Sequence, residues 1–316
     1  MSINNDEINI GHLSTVYHTN FILMENEEFI KSLNRNINWI LFGTGPELIR
    51  AFMNEKIEIG YIGLPPAIIG IDNGVPIKCL AGGHVEGTII IAKTEYKNLN
   101  HFHNNIYDVL AQFKGKSIGV TSKGSIHDVI LNFYLNKFGL INFINVRNYN
   151  QAEFIALDLK KGIIEAGVGT PALAVFASSM LQSHIIIPPE FLWANNPSYG
   201  IFFHENIIEN NSDLVIKFLT YHKEASYMLR NNPSKAAEVI CSNFKILKSE
   251  YVKAVLEISP KYCITLSEGF VNSTMEFVQS LFSLGYIKKV LTMEDIFNFQ
   301  FVKQIHPEKE HYTIFT

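Results

Sequence analysis

From Ile37 to Ile91 the chain alternates apolar runs with Gly- and Pro-rich turns. Ile37–Phe42 is a β-rich apolar run and Gly43-Thr44-Gly45-Pro46 turns, after which the spacing predicts a short amphipathic helix over Glu47–Met53. Pro46 suits a first helical turn, where its missing N–H would be unpaired anyway and its φ is already set. The same unit repeats at once. Ile57–Ile62 alternates as a strand, Gly63-Leu64-Pro65-Pro66 turns, and Ala67–Ile71 begins a helix that Asp72-Asn73-Gly74 stops. Ile77–Leu80 reads as a third strand with Gly82-Gly83-His84 as its turn, and Thr88–Ala92 as a fourth. Strands separated by short helices argue for a parallel sheet with helices on its faces, and such sheets bind ligands at the carboxyl ends of their strands.

The pattern extends to both sides. Ile8–Leu13 reads as the first strand, Ser14–Asn20 as the loop at its carboxyl end, and Phe21–Leu33 carries a helical apolar stripe. Lys93–Asn105 is polar and fits a crossing between lobes, with His101 and His103 as solvent-exposed linker residues. A second α/β series follows: strand Ser117–Thr121, turn Ser122-Lys123-Gly124-Ser125, and a helix from Ile126 to Phe138 whose start has the form of a capping box, Ser125 with Asp128. Then come strand Asn145–Tyr149, helix Gln151–Leu159 and strand Ile163–Val168. Gly169-Thr170-Pro171 starts another helix, with Thr170 as N-cap and Pro171 as first helical residue. Ile185–Ile187 and Pro188-Pro189 carry the chain back, and Gly200–His204 supplies a return strand. The remainder reads as helices, Asp213–Leu229, Lys235–Phe244, Ser249–Ile258 and Leu266–Leu284, the last opening with a second box, Thr265 with Glu268. The expected fold is therefore α/β with two lobes. Residues 1–95 and 199–316 are expected to form lobe one and residues 96–198 lobe two.

Composition narrows the function classes. At 316 residues the chain can bury a large core. A hydrophobic content of 47%, a charged content of 18% and a net charge of -4 leave no basic stripe of the kind that nucleic acid requires. Cys79, Cys241 and Cys263 form no close pair and no CxxC, so they suggest neither a zinc site nor a redox motif and read as buried small hydrophobes. No segment has about 18 uninterrupted apolar residues, and Met1–Glu7 is polar. A leader removed from an extracytoplasmic protein and a cytoplasmic protein are the two expectations.

The order Phe42-Gly43-Thr44-Gly45-Pro46, then a helix containing Ala51, then Ile57-Glu58-Ile59-Gly60-Tyr61-Ile62-Gly63 with Pro65-Pro66-Ala67, and finally Gly74-Val75-Pro76-Ile77-Lys78 resembles the nitrate/sulfonate/taurine group of ABC-transporter substrate-binding proteins. The resemblance implies a periplasmic-binding-protein type II fold whose helical C-terminal block closes the back of lobe one, a ligand cleft between the lobes lined partly by the Ser14–Asn20 loop, an ABC permease as partner, and a monomer. It also implies that the Ser122–Ser125 loop offers backbone N–H groups to an anionic ligand end.

Four turns are expected to converge on that cleft: Gly43–Gly45, Gly63–Pro65, Ser122–Ser125 and Gly169–Pro171. Each precedes a helix, whose N-terminus presents unpaired N–H groups and about half a positive charge. The cleft should thus favour a sulfonate, carboxylate or phosphorylated metabolite without needing arginine. The candidate ligand-binding residues are Ser14, Thr15, Tyr17, His18, Gly43, Thr44, Gly45, Gly63, Leu64, Pro65, His84, Ser122, Gly124, Ser125, His127, Gly169, Thr170 and Tyr199. His12 also falls near these loops, and Glu86 beside His84 could act as an acid/base partner. The histidines follow no H-x-x-x-H or H-E-x-x-H spacing, which leaves metal a minority reading, and no cofactor is expected. A second reading is an enzyme on the same fold, resembling the chorismate-dehydratase and thiamine-pyrimidine-synthase relatives of these proteins; the cysteine-rich motif of the latter is missing. A cytosolic ligand sensor is a third.

Overall fold

The computed structural model describes residues 7–313. Its strands are β1 (Glu7–Leu13), β2 (Asn36–Phe42), β3 (Ile59–Ile62), β4 (Ile77–Val85), β5 (Ile89–Lys93), β6 (Ser117–Thr121), β7 (Asn145–Tyr149), β8 (Ala166–Gly169), β9 (Ser183–Ile187) and β10 (Pro197–His204). The helices of the first half are α1 (Asn20–Leu23), α2 (Glu27–Leu33), α3 (Gly45–Met53), α4 (Leu64–Asp72), α5 (Ile106–Ala111), α6 (Ile126–Lys137), α7 (Ala152–Lys161) and α8 (Pro171–Met180). The rest are α9 (Glu205–Asn210), α10 (Ser212–Asn231), α11 (Pro233–Asn243), α12 (Ser249–Ile258), α13 (Glu268–Ser283), α14 (Met293–Ile296) and α15 (Gln300–Ile305).

Among the described residues, ten strands divide into two five-stranded sheets, ordered β2-β1-β3-β10-β4 and β7-β6-β8-β5-β9. In the first, β1 runs parallel to β2 and β3 while β10 returns antiparallel between β3 and β4. Ile8–Leu13 and the return strand thus share one sheet. In the second, β6 is parallel to β7 and β8, and β5 is antiparallel to both of its neighbours. Helices flank both sheets, which makes the molecule a two-lobed α/β protein. Among the described residues no helix is long and apolar enough to cross a membrane.

Several sequence expectations change here. The expected fourth strand, β5, belongs to the second sheet, so the chain changes sheets between Val85 and Ile89. The first crossing is therefore Glu86–Thr88, and the boundary expected at residues 95 and 96 lies inside the second lobe. Gly82-Gly83-His84 is not a turn but the end of β4. The glycines serve close packing: a Cβ at Gly83 would overlap the Tyr199 ring, and one at Gly82 would overlap the Tyr312 hydroxyl. Helix Phe21–Leu33 is two helices, because Asn26 caps α2 by accepting the Phe29 N–H at 2.9 Å. The Thr265–Glu268 box does not form; Ser267 caps α13 through the Phe270 N–H. The Ser125 cap of α6 does form, with the Asp128 N–H at 3.3 Å.

Nor does the C-terminal block back lobe one alone. Helix α10 packs on α2, but α12 touches α8 and α13 touches both α4 and α6. After α13, Tyr286 donates its hydroxyl to the buried Asp128 of α6 at 2.7 Å. The second crossing, residues 188–196 between β9 and β10, is held to the first at Glu86, whose N–H bonds the Asn196 carbonyl at 2.7 Å and whose carboxylate takes the Asn195 N–H at 3.0 Å and Lys261 Nζ at 2.6 Å.

Candidate functional site

A cavity of about 630 Å³ lies between the lobes, lined by residues from the carboxyl ends of β1, β2, β3 and β6 and from the helices that follow. Five helix starts reach it: Gly43–Gly45 at α3, Gly63 at α4, Ser125–His127 at α6, Gln151–Glu153 at α7 and Thr170 with Ala172 at α8. The N–H groups of a first helical turn have no intrahelical partners. Thr44 and Ser125 each satisfy one with a side-chain oxygen, whereas α4, α7 and α8 carry no side-chain cap. Among the described lining residues there is no Lys or Arg, and Glu153 is the only carboxylate. Leu41, Phe42, Leu157, Leu173 and Phe176 make an apolar wall, and Leu41, Leu157 and Phe176 are exposed.

Of the candidate residues, Ser14, Thr15, Tyr17, His18, Gly43, Thr44, Gly45, Gly63, Ser125, His127 and Thr170 line this cavity. Tyr17 shares a 2.9 Å hydrogen bond with Ser198 of β10, a second lining hydroxyl. His127 bonds the Thr88 hydroxyl at 3.0 Å through Nδ1, and Ser125 bonds the Thr121 hydroxyl at 2.8 Å. His18 is buried against Tyr199, with ring centroids 3.9 Å apart, and its Nδ1 has no partner among the described residues. Burial, with His84, His12 and His222 nearby, holds the His18 pKa well below its usual value, and burial lowers that of His127 to about 4. Both rings are neutral at pH 7.

The other candidates do not line the cavity. Leu64 and Pro65 are buried in the first turn of α4, and it is Pro66 that faces the cavity. His84 is fully buried; its Nε2 donates to the Ser259 carbonyl at 2.6 Å, and burial lowers its pKa to about 4. Because β4 continues past the expected turn, this histidine belongs to the core. Tyr199 is equally buried and its hydroxyl accepts the Thr19 N–H. Gly124 spends its N–H on the Asp128 carboxylate at 2.9 Å, so that group is not offered to a ligand. Ser122 and Gly169 lie outside the lining as well, Gly169 pairing with Ile89 as the last residue of β8. His12 bonds the Leu13 carbonyl, and Glu86 is committed to the crossing.

Sequence reasoning missed the α7 start, the apolar wall and Tyr251 of α12, which donates to the Ala172 carbonyl at 3.4 Å. The one available sign was that Leu157 and Phe176 leave their helices' core stripes. A profile of the NMT1-like family matches residues 2–242. The chain belongs to the NMT1-like family. Solved structures agree on the fold: the alkanesulfonate-binding protein SsuA of Xanthomonas axonopodis pv. citri, bound to MOPS, has a TM-score of 0.77 at 15% identity over 94% of this chain and 99% of its own. The aliphatic sulphonate-binding SsuA of Escherichia coli gives 0.75 at 14% identity, covering 93% of this chain and 92% of its own. The periplasmic nitrate-binding protein NrtA of Synechocystis PCC 6803 gives 0.76 at 10% identity, covering 96% and 89%. No curated protein matches this NMT1-like chain in sequence.

Proposed function

We propose that this protein is the substrate-binding component of an ABC importer and takes, in its inter-lobe cavity, a small molecule with one anionic head and an apolar body. The observation that supports this most is the convergence of five helix starts on a cavity whose described lining has no Lys or Arg. Fixed N–H groups and the positive ends of helix dipoles suit a single negative charge, whereas a dianion would meet the Glu153 carboxylate without a basic side chain to offset it. A sulfonate or carboxylate is therefore favoured over a phosphomonoester. The wall of Leu41, Phe42, Leu157, Leu173 and Phe176 provides room for an aliphatic or ring-bearing body. The proteins of similar fold whose names include sulfonates fit this reading, as does MOPS, a sulfonate that carries a ring. As an importer's receptor the protein acts outside the cytoplasm as a monomer, delivering ligand to a permease.

A thermal-shift panel of alkanesulfonates, MOPS, carboxylates, nitrate and phosphomonoesters tests the reading. A true ligand at 100 times its Kd should stabilise the fold by about 2.7 kcal/mol, visible as a clear rise in melting temperature. Stabilisation by neutral compounds alone would overturn the anion assignment.

A further inference from the structure

Away from the cavity, three side chains with metal-binding chemistry meet at the edge of lobe one: Cys263, His306 and His311. Cys263 Sγ is 3.7 Å from His306 Nε2 and 3.6 Å from His311 Nδ1, and the two ring nitrogens are 3.2 Å apart. For comparison, Zn–S of about 2.3 Å and Zn–N of about 2.0–2.1 Å at a tetrahedral angle place sulfur about 3.6 Å from nitrogen and the two nitrogens about 3.3 Å apart. All three separations agree with that triangle to about a tenth of an ångström.

The surroundings prepare the ligands. His306 Nδ1 lies 3.1 Å from the Thr265 hydroxyl and 3.3 Å from Glu308 Oε2. A proton on Nδ1, donated to the carboxylate, leaves the Nε2 lone pair aimed at the cluster, the arrangement in which an outer carboxylate orients a metal-bound histidine. Lys223 holds Glu308 in place at 3.0 Å. Both histidines also line a cavity of about 210 Å³ beside Ser226, Tyr227 and Arg230. The Ser226 Oγ on that wall is buried and has no hydrogen-bond partner among the described residues. A polar group is therefore available to a water or small ligand at a fourth coordination position.

We infer that Cys263, His306 and His311 form a zinc site with three protein ligands and one open position. A thiolate with two imidazoles in tetrahedral disposition suits Zn²⁺ over the hard cations Ca²⁺ and Mg²⁺, which take oxygen ligands. The metal ties the C-terminal segment to the first sheet, since Ile264 accepts the Gly82 N–H at 2.8 Å and Tyr312 donates to the Cys263 carbonyl at 2.7 Å. The site is separate from ligand binding between the lobes and does not depend on that reading.

The test is to strip the full chain with a chelator, re-equilibrate it with Zn²⁺ alone, and measure bound metal and melting temperature. Wild type should retain one Zn²⁺ per chain and melt higher with it. Cys263→Ser and His311→Gln should lose it, and Glu308→Gln should bind it about 10–100-fold more weakly. His311 is only partly buried, so His311→Gln keeps a folded variant available, checked by circular dichroism. Replacing zinc by Co²⁺ should produce a thiolate-to-cobalt charge-transfer band in wild type that Cys263→Ser lacks. Failure of stripped wild type to take up zinc, equal zinc content in Cys263→Ser, or cobalt binding without that band would each overturn the assignment.

Discussion

Mild acid should unfold this protein through its buried histidines. Burial lowers the pKa of His84, His127 and His222 to about 4, against an ordinary value of 6.5. In His222 both nitrogens are already committed, Nε2–H donating to the Gly82 carbonyl and Nδ1 accepting from Thr19, each at 2.7 Å. A second proton on that ring would make Nδ1 a donor and force the Thr19 hydroxyl to turn its own proton toward Tyr61, 3.4 Å away. Below pH 6.5 the unfolded chain binds protons that the native state refuses, so stability is complete above that pH and falls as pH drops toward the folded value near 4. At about pH 5 each ring costs about 2 kcal/mol and the three together about 6 kcal/mol, comparable with the whole stability of many domains. His18, pushed in the same direction, adds to the loss. Urea unfolding followed by circular dichroism between pH 7 and about pH 5 measures the effect. His222→Gln should start from a lower stability at pH 7 but lose about 2 kcal/mol less on acidification to about pH 5. A stability that is flat or rises over this window would refute the reasoning.

Glu86→Ala removes the acceptor shared by Lys261 Nζ at 2.6 Å and the Asn195 N–H at 3.0 Å, and should cost about 2–4 kcal/mol in urea unfolding. Because Lys261 is partly exposed, a loss below about 0.5 kcal/mol would class the pair with ordinary surface ion pairs and contradict its role at the crossing. In the proposed ligand cavity, Glu153→Gln removes the only carboxylate among the described lining residues. It should tighten binding of a sulfonate or carboxylate by about 0.5–1 kcal/mol in titration calorimetry, an effect that fades with added salt; weaker binding would point to a cationic group in the ligand.

The strand-turn-helix units were legible because their causes are local. Pro46 and Pro171 start α3 and α8, Ser125 caps α6, and the apolar alternation of Ile8–Leu13 and Ile57–Ile62 needs no knowledge of distant residues. Local order also placed Ser14, Gly43, Gly63 and Ser125 at strand ends, and with them most of the cavity's polar side. What sequence could not decide is which distant segment each element meets. Ile89–Ala92 is fully buried and would satisfy the centre of either sheet, and only pairing with β8 and β9 assigns it to the second. Gly82-Gly83 signals a turn by local rules, yet those glycines exist to admit Tyr199 and Tyr312 from remote parts of the chain. His84 follows the same rule: one more stretch of strand carries it from a cleft loop into the core. Cys263 looked like an isolated buried thiol because its two histidines arrive from far along the chain, with the fold alone bringing sulfur and nitrogen within reach. Sequence by itself determined the elements and their ends, where backbone sterics and capping act over a few residues. Tertiary structure decided sheet membership, which loops open to the cavity, and the Cys–His–His cluster, because each depends on contacts between residues that no local spacing relates.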